Sequence, residues 1–274
     1  MDTHRATPRL CLYATLVLTL LGVILRTACY FFFYDTDPGY FSDGILPTIS
    51  NVLYFAAIAI LTVCVFLTPR SAYSRNLSCP LRPLPTLGLA CVLMVFFAAA
   101  LLFSMAAADT TIGSGFRGHK LLTAAGITAL LSALFYALSH NREGCYPDWL
   151  AFLGYAPVLW SIVSIGDIYF DPYVTMNSPT KLSLQLGLLG FMFISLCELR
   201  FRVGRFLPRY ATAFWAIGSY ASLVGSIPVL VATGAGILCD LSHLLYAAVL
   251  LFAGVYGLYL LFCYTVQPSL HTAE

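Results

Sequence analysis

The chain has 274 residues, 60% of them hydrophobic and only 9% charged, with a net charge of +2. A soluble domain carries about a quarter charged residues, so this composition excludes a water-facing globular surface and predicts an all-α, polytopic membrane protein. There is no basic run and no aromatic-studded polar surface, which leaves nucleic-acid binding without support.

Apolar runs follow one another along the whole sequence. Each crossing of the hydrocarbon needs about 20 residues, and the runs at 10–34, 45–68, 86–108, 119–139, 149–170, 182–199, 210–232 and 237–265 predict about eight helical spans in a single membrane domain over 1–274. Lipid leaves backbone polar groups unbonded, so helices are the expected solution; a barrel would show short alternating segments instead. The first run is longer than the apolar core of a cleavable signal, and an uncleaved span is expected. Most of the nine cysteines lie inside apolar runs and read as small hydrophobes rather than as disulfides or zinc ligands.

Orientation follows from the loops. With the N-terminus in the cytoplasm, the inner side holds Arg5, Arg9, Arg70, Arg75, Arg82, Arg142, Arg200, Arg202, Arg205 and Arg209, against Arg117, Lys120 and Lys181 outside. Ten against three predicts both termini cytoplasmic in the cell membrane. The acidic first outer loop, with Asp35, Asp37 and Asp43, agrees. Asn76-Leu77-Ser78 matches a glycosylation acceptor but falls inside. Arg200, Arg202, Arg205 and Arg209 would also attract anionic lipid.

A weak echo links Tyr34-Asp35-Thr36-Asp37-Pro38, leaving the first span, with Tyr169-Phe170-Asp171-Pro172, leaving the fifth. It suggests a four-plus-four parallel repeat, although aromatics and proline gather at membrane interfaces in any case. Small residues recur every fourth position at Ala125, Ala129 and Ala133, and at Gly218, Ser222 and Ser226. Such stripes let helices approach closely. Pro157 and Pro228 are expected to kink their spans.

Ionisable residues inside spans are costly and therefore candidate sites. Arg26 lies about 6 Å to the outer side of its span's middle, at 1.5 Å per residue. Asn51, Asp167, Lys181, Gln185, Asp240 and His243 fall at a similar depth, with Ser183 beside them, whereas Glu198 sits at the opposite boundary near Arg200 and Arg202. Arg26 would hold an anion or carboxylate through its planar fork of donors, or pair with Asp167 or Asp240 to lock helices together. Asp240 and His243, one turn apart, offer two ligand types but no third, so no metal or other cofactor is expected. No nucleophile elbow, zinc-protease helix, P-loop or dinucleotide turn is present.

Three functions fit these residues. The first is a small-solute or ion transporter, or a ligand-binding membrane component, with a polar pocket in the outer half of the bilayer. The second is an assembly subunit packed against other membrane proteins. The third is an intramembrane enzyme using Asp167, Asp240 and His243 as acid and base on a lipid-linked substrate.

Overall fold

The computed structural model describes residues 3–37, 39–67, 121–139, 146–170, 178–205, 207–238 and 241–266. Helix α1 spans Thr3–Phe32 and is followed by the two-residue strands β1, Tyr34–Asp35, and β2, Tyr40–Phe41. These pair antiparallel, with Tyr34 opposite Phe41. The turn between them is held by Asp35, whose Oδ1 accepts from Asp37 N at 3.1 Å and whose carbonyl accepts from Gly39 N at 3.0 Å. Gly39 sits at φ 70°, a conformation that favours glycine. Helices α2 (Ile45–Leu67), α3 (Leu122–Ser139), α4 (Asp148–Leu153), α5 (Ala156–Tyr169), α6 (Pro179–Arg202), α7 (Pro208–Gly234) and α8 (Leu241–Val266) complete the described chain.

Six helical segments of 22 to 27 residues are long and apolar enough to cross a membrane: 9–32, 45–67, 148–169, 179–202, 208–234 and 243–265. At about 1.5 Å per residue they reach roughly 33 to 40 Å, against about 30 Å of hydrocarbon. A shorter apolar helix covers Thr123–Ser139. The expected span at 86–108 and the second copy of the sequence echo, from Asp171 onward, lie outside the described residues.

The expected span 149–170 is built from two successive helices, α4 and α5. The break falls at Gly154 and Tyr155, and Pro157 is the second residue of α5. At that position a proline's missing N–H breaks no helical bond. A Cβ on Gly154 would lie 2.6 Å from Leu199 Cδ1, so α6 presses directly on the break. Proline also opens α6 and α7, and Ser178 caps α6 by accepting from Lys181 N at 3.1 Å. Pro228 lies within α7, which continues past it to Gly234.

Helix α7 is the centre of the bundle and packs against α6, α8, α1 and α2. Its small-residue stripe meets a matching one on α6. A Cβ on Gly218 would stand 2.6 Å from Gly190 O, a Cβ on Gly190 2.7 Å from Gly218 O, and a Cβ on Gly225 2.5 Å from Ser183 O. Ser222 Oγ donates to Gly187 O at 3.1 Å. Ala125, Ala129 and Ala133 are all buried along α3, which packs on α5. The peripheral helices α1 and α2 expose large apolar side chains, among them Leu16, Leu20, Ile24, Val52, Phe55 and Val63. A soluble monomer avoids an apolar face of this extent, and lipid is the solvent that suits it.

Candidate functional site

Arg26 and Tyr30 are one turn apart on α1 and both reach the first turn of α6. Tyr30 Oη shares a hydrogen bond with Thr180 Oγ1 at 3.0 Å. Arg26 is 3% exposed. It donates to Asn51 Oδ1 at 2.6 Å, to Pro179 O at 3.0 Å and to Ser183 Oγ at 2.9 Å. Ser183 Oγ in turn donates to Pro179 O at 2.7 Å, which fixes the hydroxyl that Arg26 uses. Three helices thus converge on one cation, and all three acceptors are neutral. A guanidinium has five N–H donors, and the Nε–H is buried without a partner among the described residues.

The hairpin closes over this group. The Arg26 Cζ stands 5.0 Å from the centre of the Phe41 ring, a cation–π distance. Phe41 is held edge-on by Tyr30 at 5.1 Å and Tyr34 at 5.9 Å. Burial raises the Tyr34 phenol's pKa, opposed by its hydrogen bond to Thr180, so the phenol stays neutral. Above Arg26 lies an open cleft of about 220 Å³, walled by Tyr40, Ser42, Asp43, Thr48 and Asn51. A second void of about 10 Å³, between α2 and α6, touches Arg26, Asn51 and Ser183 from the side.

The other residues singled out from the sequence do not all join Arg26. On α6, at about 100° per residue, Lys181 and Gln185 point nearly opposite to Ser183. Lys181 is fully buried and Gln185 half-buried. Asp167 on α5 is 2% exposed and accepts a hydrogen bond from Tyr246 Oη on α8 at 3.1 Å. His243, also buried, lies one turn before Tyr246. The Tyr246 ring lies 6.1 Å from Trp160. The polar level therefore divides into an Arg26 group on α1, α2 and α6 and an Asp167–Tyr246 pair joining α5 and α8. Asp240 lies outside the described residues. Tyr246 went unnoticed in the sequence, although its spacing from His243 places both on one helical face.

A further buried group occupies the opposite end of α6. Glu198 is buried, at 5% exposure, and its Oε1 accepts from Tyr256 Oη on α8 at 2.7 Å. Arg202, one turn on, is equally buried, with its Cζ 5.3 Å above the Tyr146 ring. Tyr146 N donates to Arg202 O at 3.1 Å. Burial, and then the nearby Glu198, push the Tyr146 phenol up to about 12. Arg202 therefore turns into the bundle. Arg209 donates to Phe66 O and lies 4.7 Å over the Phe66 ring. Arg200 and Arg205 are exposed. The signal in the sequence was the Glu198–Arg202 spacing of four, which suits an intrahelical charge pair.

The helices and their lipid-suited faces are those of a multi-pass helical membrane protein. No protein-family model matches the chain, and no curated protein or solved structure matches it.

Proposed function

We propose that this protein binds a small anionic solute at Arg26, from the outer face of the cell membrane, as a transporter or as a ligand-binding membrane component. One observation carries the reading: a guanidinium sealed in a membrane span, bonded only to neutral acceptors among the described residues, beneath an open polar cleft. Burying an ion costs several kcal/mol unless an opposite charge offsets it. Asn51, Ser183 and the Pro179 carbonyl hold the donors in place but carry no counter-charge, and an anion entering the cleft would supply it. The cleft is smaller than those that take drug-sized ligands, which favours a solute of metabolite size.

The test is thermal unfolding of the full chain in maltoside detergent, with acetate or phosphate titrated at constant ionic strength. Binding to the folded state raises the unfolding temperature with anion concentration, and Arg26→Gln removes that dependence. A wild-type protein indifferent to both anions would overturn the reading.

A further inference from the structure

The cleft above Arg26 is not uniformly basic. Arg26 forms its buried floor, while Asp43, exposed on the loop before α2, stands in its wall. Ser42, Thr48 and Asn51 add neutral hydrogen-bonding groups to the same lining. Tyr40 adds an aromatic face to the same wall, and a cation sits favourably against such a face. For a plain anion this lining is contradictory: the floor attracts it and the wall repels it. For a molecule carrying both charges the same lining is complementary at both ends. Repulsion built into a site in this way selects against the wrong ligand as much as attraction selects the right one.

We infer that the ligand of the Arg26 cleft is a small zwitterion, whose carboxylate or phosphate meets Arg26 and whose ammonium lies toward Asp43 and Tyr40. This rests on the anion-binding reading above and narrows it. The same pair of charges is carried by a free amino acid and by the ethanolamine phosphate headgroup of a lipid.

Titration calorimetry of the detergent-solubilised full chain separates the outcomes, using alanine, propionate, ethylamine and free phosphoethanolamine as probes. The expected result is that alanine or phosphoethanolamine binds at least tenfold more tightly than propionate, and that ethylamine does not bind. Asp43→Asn removes that advantage while propionate binding persists or strengthens. Asp43 is exposed on a loop, so this variant folds. Equal affinity for alanine, phosphoethanolamine and propionate, or an advantage unchanged in Asp43→Asn, overturns the zwitterion while leaving an anion site in place. Absence of binding by all four overturns both readings. The lipid source is identified by competition: nanodiscs of phosphatidylethanolamine suppress phosphoethanolamine binding relative to nanodiscs of phosphatidylglycerol if the headgroup is the occupant, and do not if the ligand is a free solute.

Discussion

Asn51 is the side chain through which the Arg26 site is most directly altered. Its Oδ1 accepts from the guanidinium at 2.6 Å, and it lines the cleft. Asn51→Leu leaves a buried donor without an acceptor, a loss of about 1–3 kcal/mol, read as a lower unfolding temperature. Asn51→Asp does the reverse. A carboxylate at that position turns a neutral hydrogen bond into a charged one, roughly twice as strong, and supplies the missing counter-charge. The variant should unfold at a higher temperature than the wild type and lose its response to added anion. A stabilised variant that still binds acetate would mean that Arg26 is not the anion's partner. Position along each helix was countable from spacing, which is why Arg26, Asn51 and Ser183, which meet at one level, stood out. Rotation about each helix axis was not, and rotation decides partners. Asp167 turned to Tyr246, and a backbone carbonyl, which no sequence reading distinguishes from its neighbours, took one of the Arg26 donors.

Among elements, the α6–α7 crossing governs the site. Gly225 lies against Ser183 O just as Gly218 lies against Gly190 O, so the contact that brings the two backbones together also sets the height of Ser183 under Arg26. Gly190→Val has no room. Its side chain would meet the Gly218 backbone and Ser222 Oγ, and overpacking of this kind costs about 1–3 kcal/mol or more. Both stability and anion response should fall together. Gly234→Ala is the control. No described residue lies within 4 Å of its added Cβ, and alanine in a helix gains up to about 1 kcal/mol over glycine, so unfolding should move slightly upward with the site unchanged. If Gly190→Val left the anion response intact, the crossing would not be what positions Ser183. The stripe of Gly218, Ser222 and Ser226 was visible in the sequence because period and residue size are local properties. Its partner stripe on α6 was not, because one helix's pattern does not name the helix it faces. The break at Gly154 was hidden for a similar reason: Pro157 marked the neighbourhood, but the contact with Leu199 that presses on the turn is long-range.

For the molecule as a whole, function depends on which way up it sits. The Arg26 cleft and the hairpin share one end of the bundle; Arg200, Arg205 and the start of α7 share the other. Positive loops stay in the cytoplasm because translocating them is disfavoured, and among the described residues Arg200, Arg205 and Arg209 lie at the end away from the hairpin. The cleft should therefore open to the exterior, and a zwitterion or anion would reach Arg26 without crossing the bilayer. Cysteine accessibility tests this directly. Asp37 and Arg205 are both exposed and lie at opposite ends. With the nine native cysteines replaced by alanine or serine, Asp37→Cys should react with a membrane-impermeant maleimide on intact cells. Arg205→Cys should react only after permeabilisation. The opposite pattern would turn the cleft toward the cytoplasm: the binding chemistry at Arg26 would stand, and the solute would have to be drawn from inside the cell.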